Sequence, residues 1–152
     1  MSILAAIEGI AAAIDALTPS TDVGIPYRRH PPESRSSMLT AGAQSRVFEV
    51  VAGPPALSER TSDGTATHYV YEVEVRLMYG LAAWRSWDAL ALAMASDLAD
   101  IAATLRTPAT WSTWAHELYP RDDRVARDDI ITDDGETAGY VVTLPITLHV
   151  EV

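Results

Sequence analysis

The stretch His68-Tyr69-Val70-Tyr71-Glu72-Val73-Glu74-Val75-Arg76-Leu77-Met78-Tyr79 decides the fold. Tyr69, Tyr71, Val73, Val75, Leu77 and Tyr79 alternate with His68, Val70, Glu72, Glu74, Arg76 and Met78. Successive side chains of an extended chain point to opposite faces, so this period of two sets one row against a core and the other toward water or a partner. The segment therefore reads as a strand that ends at Gly80. The cover for its apolar row comes next in the chain. Ser86 is placed to cap a helix with Asp88 in its first turn, where the positive end of the helix dipole favours an acid. Leu90, Met94, Leu98, Ile101 and Leu105 then recur at helical spacing, with Asp97, Asp100 and Thr104 off that stripe. Thr107 and Pro108 stop this helix, because proline cannot continue the hydrogen-bond ladder.

Working outward, Arg46 to Val51 reads as a short strand closed by Gly53, Pro54 and Pro55, with a turn at Ser62-Asp63-Gly64 leading back to His68. Downstream, a strand is expected around Ala115 to Tyr119, then a charged, turn-like stretch over residues 121–136. Tyr140 to Val152 is a long strand in which Tyr140, Val142, Leu144, Ile146, Leu148, Val150 and Val152 share a face. Pro145 falls on the other phase and lacks a ladder donor, which implies an edge, a bulge or an unbonded position. At the start of the chain Ser2 caps a helix marked by Ile3, Ile7, Ile10, Ile14 and Leu17. Residues 18–45 follow as a long irregular stretch with Pro19, Gly24, Pro26, Pro31, Pro32 and Gly42. Together these elements predict one α+β domain over residues 1–152. Its mainly antiparallel four-stranded sheet carries two helices on one face and a long N-terminal loop.

Composition narrows the chemistry. Hydrophobic residues make up 48 % of the 152 residues, enough for a folded core. The formal net charge of −10 repels a nucleic-acid backbone, which argues against sequence-reading DNA binding. The absence of cysteine removes disulfides, thiolate metal sites and cysteine nucleophiles. Lysine is absent too, so every fixed cation is an arginine, and Schiff-base or P-loop lysine chemistry is impossible. Neither a signal peptide nor an uncharged stretch of membrane-spanning length is visible, so a soluble protein made in the cytoplasm is expected.

Each candidate site has a plainer reading beside it. The acidic run Arg121-Asp122-Asp123-Arg124, Arg127-Asp128-Asp129 and Asp133-Asp134 offers carboxylates for a divalent cation, but its arginines would neutralise such a cage, and a solvated, self-paired loop is the simpler reading. His30, His68, His116 and His149 show no helical ligand spacing and read as surface histidines. Glu72 and Glu74 could serve as an acid/base pair, yet with Arg76 they form an ordinary charge ladder on one strand face. No nucleophile elbow, dinucleotide fingerprint or zinc-protease motif occurs. No catalytic residue, cofactor or metal is therefore assigned, and a non-enzyme is expected. Partner contacts are expected instead at the basic island Arg28, Arg29, His30 and Arg35, and at two W-x-x-W pairs, Trp84/Trp87 and Trp111/Trp114. Spacing of three puts two rings on one side of a helical turn, and aromatic anchors are enriched at interfaces; core packing at the helix ends is their plainer role.

The order of elements resembles the tail terminator, or tail completion, proteins of long-tailed phages and phage-like particles. The helix Ser2 to Leu17, the loop through Arg28 to Arg35, the strand His68 to Tyr79 with the helix Trp87 to Arg106, and the closing strand Tyr140 to Val152 carry the likeness. It is a likeness of layout over nearly the whole chain, with no short motif. It implies a homo-oligomeric ring, commonly a hexamer, in the neck of the virion. There the ring caps the head-proximal end of the tail tube, ends tube polymerisation and joins the tail to the head connector, with DNA passing through the lumen without sequence-specific contact and no membrane involved. Another neck or head-tail adaptor protein, or the cap of a contractile injection system, has the same physics. A metal-dependent hydrolase using Asp122, Asp123, Asp128, Asp129 and a histidine is the competing class, and a small binding module using the tryptophans is a third.

Overall fold

The computed structural model describes residues 2–32, 45–56 and 68–151. Helix α1 spans Ile3–Asp15 and starts where predicted, with the Ser2 side chain accepting from the Ala5 amide at 3.1 Å. Helix α2 spans Trp87–Arg106 and is capped in the same way by Ser86, which accepts from the Ala89 amide at 3.1 Å. A one-turn helix α3, Pro108–Trp111, follows directly, its proline in the first turn where the missing donor has no intrahelical partner to lose.

Among the described residues the sheet has six strands: β1 Arg28–Arg29, β2 Ser45–Ala56, β3 His68–Gly80, β4 Glu117–Pro120, β5 Ala126–Ile131 and β6 Thr137–Glu151. Their order is β1-β2-β3-β6, with β4 and β5 both on the far side of β6. All pairings are antiparallel except β1 with β2, which is parallel. The four-stranded, mainly antiparallel expectation thus holds for β2, β3, β4 and β6 and misses two strands. β1 lies inside the stretch expected to be irregular and adds only Arg28 and Arg29, too short to show in a periodic pattern. β5 lies in the stretch expected to be turn-like. Its sequence Ala-Arg-Asp-Asp-Ile-Ile is highly charged because most of the strand is exposed at the sheet edge, so no buried row betrays it.

Other boundaries shift for clear reasons. β2 runs on through Gly53, Pro54 and Pro55 instead of closing there. β1 borders it only at Val47 and Phe48, and a register shift falls between Ala52 and Pro55, so the prolines forfeit little ladder bonding. The turn expected at Ser62-Asp63-Gly64 lies outside the described residues. Pro145 takes the unbonded option. Its carbonyl accepts from the Arg121 amide at 2.8 Å, and the nitrogen of the same residue points to that same side. There the ladder is interrupted, because β4 stops opposite Ile146 and β5 begins opposite Thr143.

One core cluster joins Ala6, Ile10 and Ile14 of α1, Leu90, Ile101 and Leu105 of α2, and the inward row of the sheet: Phe48, Val73, Val75, Leu77, Val142, Leu144, Ile146 and Leu148. Each fully buried Leu or Ile contributes roughly 1.5–3 kcal/mol before conformational entropy is set against it. The row read from His68–Tyr79 is buried from Val73 onward, whereas Tyr69 is 41 % exposed at the outer end of β3. The opposite face of the sheet carries the expected charge ladder. Arg76 donates to Glu74 at 2.7 and 2.9 Å and to Glu49 at 3.4 Å, while Glu72 accepts from Thr147 at 3.2 Å. No helix among the described residues is long and apolar enough to cross a membrane.

Candidate functional site

Among the described residues Arg46, expected only as the start of a strand, is held by a dense set of contacts. A register shift between Ser45 and Val47 inserts it as a bulge, and its φ is +57°, the left-handed region that non-glycine residues avoid at a cost of about 1–3 kcal/mol. The bulge aims its side chain inward, where it is fully buried. Nε and Nη2 hold the two carboxylate oxygens of Asp97 at 2.7 and 3.0 Å in a bidentate pair. Nη1 donates to the carbonyls of Asp22 and Ile25, each at 2.9 Å, and Nη2 to that of Thr21 at 2.8 Å. All five donors of the guanidinium are thereby satisfied. Its plane lies over the rings of Trp84 and Tyr27, 5.2 and 5.7 Å from their centroids.

Asp97 also accepts from the Tyr79 hydroxyl at 2.7 Å. It was expected off the apolar stripe of α2, yet it is fully buried within it. Spacing held a signal for this: Asp97 sits seven residues after Leu90 and four before Ile101, the same positions that put those two side chains inward. Only its charge argued against burial, and Arg46 answers that charge. Burial, reinforced by the Asp97 carboxylate, pushes the Tyr79 phenol well above its usual ionisation range. Tyr27, also buried, is raised for the same two reasons in the same order.

This network fixes the segment Thr21–Ile25 to α2 and so sets the course of β1 beside β2. Of the basic island, Arg28 is exposed on β1. Arg29 forms a bidentate pair with Glu8 of α1 at 2.6 and 2.8 Å, which holds the Glu8 carboxyl below its ordinary range. His30 continues the strand line, its amide donating to the Phe48 carbonyl at 2.7 Å. Arg35 lies outside the described residues.

Of the four tryptophans, Trp84, Trp111 and Trp114 pack against the core and Trp87 is half exposed. Trp84 precedes α2 and turns inward, its Nε1 donating to the Ser45 hydroxyl at 2.7 Å. Trp87 is the first residue of α2 and half exposed, edge-on to Tyr140 at 5.6 Å, with Arg127 of β5 over both rings. Trp84 and Trp87 together line a cleft of about 310 Å³ with Leu81, Ser86, Leu90 and Tyr140. Trp111 and Trp114 pack against the core. Trp114 lies over Gly9 of α1, where a Cβ would run into the indole ring, so glycine is what lets helix and ring approach. Trp111 lines a larger cleft of about 530 Å³ between Arg106, Pro108 and strand β4.

The histidines are less scattered than their spacing implied. His68 and His116 stack with centroids 4.1 Å apart, and His149 sits edge-on to Tyr119 one strand away. Among the described residues no three His, Asp or Glu side chains are arranged to hold a metal ion. The acidic run divides in two. Asp122 pairs with Arg106 at 2.6 Å, which holds its carboxyl below the ordinary range, and Asp134 is bound by Thr132 in the turn before β6. No protein-family model matches this chain, and no curated protein matches it.

Proposed function

We propose that this protein is a structural assembly protein of the tail-terminator type. In this reading copies of the chain form a ring that caps the head-proximal end of a phage-type tail tube, stops its growth and presents a surface to the head connector. The reading rests on the layout of elements described above. The observation that carries it furthest lies on the sheet: helices cover one face, while part of the other displays a solvent-facing ladder of Glu49, Arg76 and Glu74 beside the buried Val47, Met78 and Val141. A face built of charged cross-strand pairs suits docking between rigid bodies, because such pairs fix register and exclude wrong partners more than they add affinity. The negative net charge suits a channel wall that does not grip DNA.

The test is polymerisation of a phage-type tail tube protein in the presence of this chain. Added at substoichiometric amounts, the protein is expected to shorten the tubes and to leave a density at one end in electron micrographs. Tubes of unchanged length with bare ends would overturn the reading.

A further inference from the structure

We propose that two copies of this chain join through the edge of β5, the two strands lying antiparallel about a two-fold axis at Asp128, so that Arg127 of one copy meets Asp129 of the other. The sequence of that edge carries the argument. From Val125 to Ile131 it reads Val-Ala-Arg-Asp-Asp-Ile-Ile, which is complementary to its own reverse. With Asp128 at the centre, Val125 faces Ile131, Ala126 faces Ile130 and Arg127 faces Asp129, and each of these pairs is made twice. Opposite charges directly across from each other, and apolar side chains likewise, stabilise paired strands. Ile131 is 55 % exposed, so the contact covers an apolar side chain that the single copy leaves in water. Arg127 and Asp129 are exposed too, and neither has an ion-pair partner among the described residues. Charged residues on an edge strand ordinarily deter pairing. Here both signs occur two residues apart, and a reversed copy presents each to its opposite.

The backbone agrees with this register. The Pro145 carbonyl faces the side of β6 where β4 and β5 lie, and β6 runs beside β3 without a register break, so Val141 and Thr143 face the same way. They stand opposite Asp128 and Ala126, whose amides and carbonyls therefore turn toward β6. Those of Arg127 and Asp129 turn outward, and among the described residues no strand lies beyond β5. These two residues become the hydrogen-bonded pairs on either side of the axis. Val125 is also extended, so the strand line continues past Ala126. An axis normal to the sheet keeps each face continuous, and Arg127 meets Asp129 on the face where Trp87 and Tyr140 lie. There its guanidinium rests over those two rings, 5.8 and 5.1 Å from their centroids, which holds it in place before the second copy arrives. One pair opposes the contact: Asp128 faces its own counterpart, and like charges directly across weaken a strand pair. The same surface meets itself, so the contact is isologous and closes at two copies. It leaves the ladder of Glu49, Arg76 and Glu74 uncovered, so it goes beyond the cap reading and does not rest on it.

The experiment compares Arg127→Asp, Asp129→Arg, their equimolar mixture, Asp128→Asn and the unaltered protein by sedimentation equilibrium and native mass spectrometry. The unaltered protein is expected to pass from monomer to dimer with rising concentration. Each reversal sets like charges against each other twice per dimer and is expected to weaken it by about tenfold or more. The mixture is the decisive arm. One variant then carries an acid at both positions and the other an arginine at both, so mixed dimers should return to within about threefold of the unaltered affinity. Asp128→Asn removes the opposing pair and should tighten the dimer by about threefold. An unaltered protein that stays monomeric at every concentration, reversals that dimerise as before, a mixture that stays apart, or Asp128→Asn dimers no tighter than the unaltered ones would each overturn the proposal. Should circular dichroism show a reversal unfolded, Arg127→Gln and Asp129→Asn take its place, each expected to weaken the dimer by about threefold, and unchanged dimers would again overturn it.

Discussion

Arg46 and Arg28 lie on adjacent strands of one sheet, and the fold uses them in opposite ways. Arg46 is sealed from water, with a paired carboxylate, three carbonyls and two aromatic rings around it. Arg28 stands exposed at the sheet edge. A buried guanidinium contributes to a fold only as a complete set, because a single missing partner leaves a desolvated charge behind. An exposed one adds little to the fold and is correspondingly free to recognise something outside it.

The sharpest way to break this contrast is Asp97→Ala. It leaves the Arg46 charge buried and uncompensated and is expected to cost about 3–5 kcal/mol in urea unfolding. Arg46→Met combined with Asp97→Leu should recover part of that loss, since no charge remains, but not all of it, because the Thr21, Asp22 and Ile25 carbonyls lose their donors. Equal destabilisation by the single and double changes would show that the pairing itself is not what holds the site. Gly9→Ala comes next. It drives a methyl group into the Trp114 ring and should cost about 1–3 kcal/mol, with the Trp114 fluorescence altered.

Alkaline pH probes the same buried pocket. Tyr79 is held protonated in the folded protein, whereas an unfolded tyrosine ionises near pH 10. A folded value raised above the unfolded one means the stability is complete below about pH 10 and lost above it, by about 1.4 kcal/mol per pH unit for this group. Melting temperature against pH, followed with phenolate absorbance, should show a downturn that Tyr79→Phe makes shallower, with Tyr27 supplying the remainder. The smallest effect belongs outside. Glu8→Gln removes the exposed pair with Arg29 and should leave urea unfolding nearly unchanged, and the contribution that pair makes should fade as pH drops through the lowered carboxyl range.

How much of this was legible in the chain follows from the same physics. The segments His68–Tyr79, Trp87–Arg106 and Tyr140–Val152 announced themselves because each buries one regular row of apolar side chains. β1 and β5 were silent because edge strands with little burial have no such row. Of the candidate contacts, Arg28 and Trp87 are exposed, Arg29 pairs with Glu8, Trp84, Trp111 and Trp114 pack against the core, and Arg35 lies outside the described residues. Spacing of three implied two tryptophan pairs on helical turns. Trp84 instead precedes the helix that Trp87 begins, and no periodic rule spans that junction. Arg46 and Asp97 are fifty-one residues apart, so no local pattern joins them; the one signal was the spacing of Asp97 from Leu90 and Ile101, and its charge set it off the expected stripe.

Pro145 sits where β6 changes partner, between the end of β4 and the start of β5. A proline at that seam means the two short strands share no amide across it, so each is clamped to β6 by its own bonds. An opening fluctuation that peels β5 away should halt there, leaving β4 closed. Hydrogen exchange would then report two separate protection levels along one side of a single strand, with the faster amides at the edge that carries Asp128.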